Sequence, residues 1–478
     1  MDSQAKKISP IHYIVVIVCC VGGQFVPGFA GITQLGMGIL GCFVGAVYGW
    51  IFIDMLWPSV VALFGLGLTS IGFDKVFAGS FGSTTVMALI LCMGVVGIAM
   101  TTGAFNWLAS RLLGIKAMQG RPWVTIFLLL LIAFPFGSFN PIIMMVIFGA
   151  FITSMLNECK VKKNDPLAIF LYLGCAFSLM MGQILFPFFS TGLVFYGAYT
   201  KMFAAYPMNM VAYLLFMVFA GILMIVVWTL VMKFVLRVNA KPLADYCSDC
   251  SELKATRSQK ISLVMFVLFI LINVLGSVGP LKPYLSVLGL GGYCLLGCAV
   301  MPFLKDEEGK EIGNLEQLLH MGNWGQVCMV GFIMLLSTYM SGSVQGLETG
   351  IPAAMAMLFT PFMGLPSWVF IIIALVVAVI LTNFANNMIV AVMVMPLLVN
   401  YAVQVGMEPT MVVMLLFIMA QFALATPAAS PVTAVAMTQD LADPTEMTKC
   451  ACKILPIMIV AGLIIGIPLA SVIFSAIA

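Results

Sequence analysis

A polar break at residues 134–141, reading Phe-Pro-Phe-Gly-Ser-Phe-Asn-Pro, divides an apolar run that extends over residues 123–156. Each arm is about 15 residues long and rises about 22 Å as a helix, which is short of the roughly 30 Å hydrocarbon core of a bilayer. Non-helical backbone survives at membrane depth only where protein buries it or where it lines a cavity. The break therefore predicts a re-entrant hairpin whose tip, near Asn140, lies at a binding site.

The composition makes this break a membrane feature. Of the 478 residues, 63% are hydrophobic and 8% are charged, and the mean hydropathy is +1.15. These values predict a polytopic membrane protein embedded in a lipid bilayer. The net charge of +3 is small, which argues against a nucleic-acid partner. The two histidines, His12 and His320, lie at predicted span edges, so we expect no intramembrane enzyme.

The second half of the chain repeats the pattern of the first. A polar break at residues 382–387 divides another apolar run, and in each half a proline-containing break follows, at residues 186–192 and 426–431. Two breaks thus occur in the same order in each half, four in all, with Asn140 matching Asn386. This order predicts two re-entrant hairpins and two discontinuous helices, one of each in every half.

The charges around the breaks distinguish an inverted from a parallel repeat. The connectors at residues 360–367 and 400–410, which flank the second hairpin, carry no Lys or Arg. Basic residues are enriched in cytoplasmic loops, so the first hairpin is predicted to enter from the cytoplasm and the second from outside. The N-terminus is then cytoplasmic and the C-terminus external. The connectors of the first hairpin hold Arg111, Lys116, Arg121, Lys160, Lys162 and Lys163.

These observations predict an all-α polytopic membrane protein with about 11 transmembrane helices in an inverted repeat. The predicted segments are an N-terminal helix (1–35), a first repeat (36–237) with a hairpin (122–157) and a broken helix (167–199), a cytoplasmic linker (238–260), and a second repeat (261–478) with a hairpin (366–404) and a broken helix (409–437).

The two hairpin tips are the predicted substrate site. A helix N-terminus has backbone N–H groups without intrahelical partners and about half a positive charge from the helix dipole, so it binds anions. Two such ends suit a small dianion without any buried Lys or Arg. The alternatives are helix capping by the asparagines and ordinary kinks at the prolines. The predicted substrate-binding residues are Ser138, Asn140, Pro141, Asn386, Asn387, Ser190 and Ser430.

The same breaks predict a cation site beside the anion. Unwound carbonyls together with Ser, Thr and Asn oxygens suit Na⁺, and no organic cofactor is expected. The candidate Na⁺ ligands are Gly137, Ser138, Asn140, Thr382, Asn386, Thr426 and Pro427. Two readings stay open for four loop cysteines, which either hold zinc or are plain reduced thiols. These are Cys247, Cys250, Cys450 and Cys452.

The arrangement resembles the divalent anion/sodium symporters and the ion-transporter superfamily around them. In that family each hairpin tip holds a Ser-Asn-Thr motif, and each following helix unwinds at a Thr-Pro segment. Here Thr426 and Pro427 match that segment, while the tips at residues 139–141 and 385–387 read Phe-Asn-Pro and Ala-Asn-Asn. Both asparagines are kept and both hydroxyl pairs are lost.

The resemblance implies a secondary transporter in the inner membrane, with an elevator-type movement against a homodimeric scaffold. The first reading of its substrate is a small organic dianion of the C4-dicarboxylate kind, moved by Na⁺ symport or by anion exchange. The second reading is a proton-coupled or uncoupled permease for another anion, such as citrate, sulfate or an oxyanion. Because the tip motifs depart from the family pattern, both readings stay open.

Overall fold

The protein folds into a largely helical structure with long apolar helices, as seen in a computed structural model. The structure describes residues 9–113, 120–188, 190–246, 254–276, 282–285, 287–320, 323–340, 343–344, 347–351, 354, 357 and 366–477. Cys247 and Cys250 lie outside these residues. Within them, no group of three or more His, Cys, Asp or Glu side chains is arranged to hold a metal ion.

The first half of the chain contains eleven described α-helices that precede the linker. They are α1 (Pro10–Gly22), α2 (Gln34–Phe52), α3 (Leu56–Gly67), α4 (Phe73–Gly79), α5 (Thr84–Thr101), α6 (Ala104–Leu113), α7 (Pro122–Phe136), α8 (Pro141–Glu158), α9 (Pro166–Gly182), α10 (Ser190–Met202) and α11 (Met210–Leu230).

The described residues of the second half are also helical, apart from one short β-hairpin. The helices are α12 (Arg257–Leu275), α13 (Lys282–Leu285), α14 (Gly289–Val300), α15 (Leu315–His320), α16 (Trp324–Met340), α17 (Ser367–Thr382), α18 (Asn387–Gln404), α19 (Pro409–Met419), α20 (Pro431–Ala436) and α21 (Pro444–Ile477). The hairpin pairs β1 (Ser343–Val344) antiparallel to β2 (Leu347–Glu348).

Both hairpin breaks occur where the sequence predicts them. Helix α7 ends at Phe136 and α8 begins at Pro141, while α17 ends at Thr382 and α18 begins at Asn387. Proline at the first position of α8 suits a helix start, because its missing N–H would have no partner there. The second arms, α8 and α18, each contain 18 residues and are longer than predicted.

The two proline-containing breaks also divide helices as predicted. The first lies between the end of α9 at Gly182 and the start of α10 at Ser190, and the second separates α19 from α20 over residues 420–430. Two carbonyls near the first break are bound by hydroxyl groups: Ser138 donates to Gly182 at 2.6 Å, and Tyr213 donates to Ile184 at 2.6 Å. Side chains from other helices therefore satisfy backbone groups that the break frees.

The packing of the halves is reciprocal, as an inverted repeat requires. Helix α8 packs against α20, and α10 packs against α18. At the base of the first hairpin, Asn164 donates its backbone N–H to the Leu441 carbonyl (2.9 Å) in the loop after α20. At the base of the second, Glu408 lies near Tyr199, close to the end of α10. Each broken helix thus runs from the base of its own hairpin to the base of the other.

Helix length agrees with a multi-pass membrane protein. Seven described helices are long and apolar enough to cross a membrane by length and composition. The shorter apolar helices include α7, α9, α17 and α19, which are the first arms of the hairpins and of the broken helices. The apolar segment that begins at Thr84 is divided into α5 and α6 at Gly103, whose φ of +67° is readily adopted by glycine.

Candidate functional site

A cavity of about 280 Å³ lies where the four breaks meet. Its lining comes from both hairpin tips, from the starts of α10 and α20, from an apolar face of α5 that includes Leu89, Met93 and Val96, and from Asn323 and Gln326 at the start of α16. The structure brings all the predicted substrate-binding residues into this lining, namely Ser138, Asn140, Pro141, Ser190, Asn386, Asn387 and Ser430.

The two tip asparagines are held in the same way. Asn140 Oδ1 accepts from the backbone N–H of Ile143 at 3.1 Å, and Asn386 Oδ1 accepts from that of Met388 at 2.9 Å. Both oxygens therefore cap the helix that follows, which was the alternative reading from the sequence. Neither Nδ2 group has a hydrogen-bond partner within the described part of the chain. Each tip thus offers the cavity a fixed amide donor.

The serines of the lining have three different settings. Ser138 is buried, and its hydroxyl group is bound to the Gly182 carbonyl. Ser430 caps α20 by accepting from the Val432 N–H at 3.2 Å. Ser190 begins α10 with a φ of +55°, a left-handed conformation that is uncommon for a residue other than glycine. Such backbone strain is found preferentially at functional sites.

Several predicted Na⁺ ligands lie behind the cavity wall. Thr382 donates its hydroxyl to the Ala420 carbonyl at 3.1 Å, which repeats in the second half the bond between Ser138 and Gly182. Thr426 donates to the carbonyl of Asn383. The cavity lining does not include Gly137, Thr382, Thr426 or Pro427, whereas Ser138, Asn140 and Asn386 belong to it.

Two buried glutamines at the centre of the site are absent from the predicted set. Gln183 Nε2 donates to Gln421 Oε1 at 2.6 Å, which joins the break of the first half to that of the second. Thr191 donates to Gln183 Oε1 at 3.1 Å, and Asn387 Nδ2 donates to Gln421 Oε1 at 2.9 Å. In the sequence, each glutamine is visible as a single amide side chain within an apolar run, after Met181-Gly182 in one half and after Met419-Ala420 in the other.

Asn383 is a second residue that sequence reasoning missed, and it organises the break after α19. Its Oδ1 accepts from the backbone N–H groups of Leu424 (2.9 Å) and Ala425 (2.7 Å). Its Nδ2 donates to the carbonyls of Val379 (2.7 Å) and Phe422 (2.9 Å). One side chain therefore satisfies four backbone groups, which stabilises the unwound segment in the absence of helical hydrogen bonds.

The described lining contains no charged side chain, and its positive potential comes from helix ends. No Asp, Glu, Lys, Arg or His lies among the described residues of the lining, while the N-terminal ends of α8, α10 and α18 all reach it. Each of these ends carries the positive pole of a helix dipole, whose effect is strong where water is excluded. The arrangement therefore provides positive potential and N–H donors for a small anion.

Comparison with known proteins identifies the family and the fold. A family model described as "citrate transporter" matches residues 47–420, well over half of the chain, while no curated protein matches the sequence. Among solved structures, the YdaH transporter of Alcanivorax borkumensis, reported to have an unusual topology, is similar over 86% of this chain and 90% of that one, at 11% identity and a TM-score of 0.58. That likeness shows the fold, and the family match confirms the predicted resemblance. The chain therefore belongs to the citrate transporter family.

Proposed function

We propose that this secondary anion transporter carries a small organic anion with at least two carboxylates, either citrate or a C4-dicarboxylate, together with Na⁺. The observation that carries the proposal is the pair of tip amides, Asn140 Nδ2 and Asn386 Nδ2, at one cavity. Each is held by a capping bond, and neither has an acceptor among the described residues. A carboxylate at each tip supplies that acceptor.

The size of the cavity supports a small ligand. Its volume of about 280 Å³ equals that of roughly nine water molecules in the liquid and lies at the lower limit for drug-sized pockets. The substrate name of the matching family is citrate, which has three carboxylates. A polycarboxylate of this size has acceptors on several sides, and the lining offers donors from both halves.

The chemistry of the site favours Na⁺ over H⁺ as the coupling ion. The described lining contains no carboxylate, histidine or lysine to take up a proton. Ser138 and Thr382 instead pair hydroxyl oxygens with the carbonyls of Gly182 and Ala420, one pair in each half. Hydroxyl and carbonyl oxygens suit Na⁺, which travels here as a second substrate and offsets the charge of the anion.

The proposed movement follows from the unlike parts of the cavity lining. The breaks and tips supply polar lining, whereas the α5 lining is apolar apart from Cys92, so sliding along α5 would cost few polar contacts, such as the weak bond from Cys92 Sγ to the Phe188 carbonyl (3.5 Å). Elevator-type alternating access and a homodimeric scaffold, which the family resemblance implies, stay predictions. The inner-membrane location and the cytoplasmic N-terminus are likewise proposals.

Transport by the purified protein in liposomes tests the proposal. We expect labelled citrate or succinate to accumulate when an inward Na⁺ gradient is imposed, and to equilibrate only when Na⁺ is equal on both sides. A proton gradient at equal Na⁺ should give no accumulation. Uptake that follows the proton gradient instead would support the permease alternative, and uptake that requires internal substrate would support exchange.

Removal of the two hydroxyls tests the Na⁺ ligands. In Ser138→Ala and Thr382→Ala we expect the Na⁺ concentration for half-maximal uptake to rise about tenfold, as loss of one ligand to a charged group implies. Thr229→Ala is the matched control, because Thr229 donates to the Ile225 carbonyl at 3.0 Å in α11, away from the cavity. An unchanged Na⁺ dependence in both site variants would remove these residues from the cation site.

A further inference from the structure

The pair formed by Gln183 and Gln421 has a direction that the backbone fixes. Gln421 Nε2 donates to the Phe417 carbonyl at 3.1 Å. Because a carbonyl oxygen only accepts, this bond identifies the nitrogen of the Gln421 amide, and the remaining atom, Oε1, is the acceptor. Gln183 Nε2 and Asn387 Nδ2 both donate to that oxygen. Gln183 therefore presents an NH₂ group, not an oxygen, at this point.

One hydrogen of this NH₂ group remains available. An amide nitrogen carries two hydrogens, and Gln183 Nε2 has no acceptor other than Gln421 Oε1 within the described part of the chain. The side chain is 6% exposed and lines the cavity. A buried donor without an acceptor is unfavourable, so this hydrogen favours a ligand that brings an oxygen to it.

Gln183 lies between the two hairpin tips. The carbonyl of the preceding residue, Gly182, accepts from Ser138 at the first tip. The Gln183 side chain is joined through Gln421 to Asn387, which stands next to Asn386 at the second tip. The cavity therefore has an amide donor from each tip and one from Gln183 between them, in addition to the side-chain amides of Asn323 and Gln326 at the start of α16.

We propose that Gln183 determines substrate specificity by donating to a third carboxylate, placed between the two that Asn140 and Asn386 hold. This inference rests on the proposed function and deepens it, because it selects tricarboxylates over dicarboxylates of the same length. A site built around a hydrogen-bond donor discriminates strongly against an analogue that lacks the matching group. Gln421 lies outside the cavity lining and holds Gln183 in place.

The test uses two ligands that differ only in the central carboxylate, tricarballylate and glutarate. Their dissociation constants are measured by titration calorimetry at saturating Na⁺ in the wild type and in Gln183→Met, which keeps the length of the side chain and removes its donor. We expect the wild type to bind tricarballylate at least about tenfold more tightly than glutarate. In Gln183→Met the ratio of the two constants should fall about tenfold, mainly through weaker tricarballylate binding.

The matched control is Gln34→Met, the same substitution at a glutamine outside the cavity lining, whose Nε2 donates to the Gln24 carbonyl at 2.9 Å. In this variant the ratio should stay within about threefold of the wild type. An equal loss of the ratio in both variants, or an unchanged ratio in Gln183→Met, would overturn the inference. A wild-type ratio near one would do so even if neither variant folds. Failure of the wild type to bind citrate, tricarballylate or any dicarboxylate would instead contradict the proposed function.

Discussion

Replacing either tip asparagine by serine is expected to lower the initial rate of substrate uptake about 100-fold. Serine is as good an N-cap as asparagine, so Asn140→Ser and Asn386→Ser retain the bond to the following helix while removing the Nδ2 donor. A hydrogen bond to a charged group contributes about 1.5–3 kcal/mol, which corresponds to a factor of roughly 10–150. Uptake in liposomes at fixed Na⁺ and subsaturating substrate measures the loss.

The control for this experiment is an asparagine that caps a helix away from the cavity. Asn209 Oδ1 accepts from the Val211 N–H at 2.9 Å at the start of α11, and Asn209 is not part of the lining. Asn209→Ser should therefore transport like the wild type. If Asn140→Ser and Asn386→Ser also did so, the two asparagines would be helix caps alone, and the substrate would have to bind elsewhere.

Adding one methyl group at Gly182 is expected to lower the free energy of unfolding by about 3 kcal/mol or more. Helix α9 crosses α7 at this glycine, and a Cβ there would lie far inside the contact distance of the Phe134 carbonyl oxygen. Overpacking against a side chain costs about 1–3 kcal/mol, and here the obstacle is backbone that cannot rotate away. Gly137→Ala should act alike, because its Cβ would meet the Leu179 carbonyl.

A glycine of α14 provides the comparison. No heavy atom lies within 4 Å of a Cβ built on Gly291, so Gly291→Ala should leave the thermal midpoint of the detergent-solubilised protein unchanged or slightly raised. Gly182→Ala should lower that midpoint clearly, or prevent recovery of a monodisperse protein. A midpoint equal to the wild type in Gly182→Ala would mean that α7 and α9 are farther apart than described here.

The breaks and their repeated order along the chain could be predicted because they depend on local chemistry and on length. Helix starts are favoured by proline at the first position and by Asn or Ser as the cap. The chain has such residues at Pro141 and Pro431 and at Asn140, Asn386 and Ser430. A simple count of residues shows whether an apolar run is long enough to cross a bilayer. These properties need no knowledge of which helix lies beside which.

The contacts behind the cavity could not be predicted in the same way. Thr382 binds the carbonyl of Ala420, and Asn383 binds backbone groups about 40 residues along the chain. Gln183 meets Gln421 across 238 residues. In each case the partner is set by how the two halves dock, so the sequence shows a polar residue in an apolar run but not which group it satisfies.

The roles of the two tip asparagines could be predicted from the sequence only in part. Capping and ligand binding were competing readings of Asn140 and Asn386 from the sequence. In the structure one side chain can serve both roles, since the oxygen caps the helix while the nitrogen remains available. Only the orientation of the amide reveals this division, and orientation depends on the three-dimensional hydrogen-bond network.

The measurement that tests the site most directly is a cryo-electron microscopy structure of the wild-type protein with saturating citrate and Na⁺. We expect ligand density in the cavity, with carboxylate oxygens within hydrogen-bond distance of both Asn140 Nδ2 and Asn386 Nδ2. Citrate density that contacts neither tip, or an empty cavity in protein that transports citrate under the same conditions, would contradict this prediction.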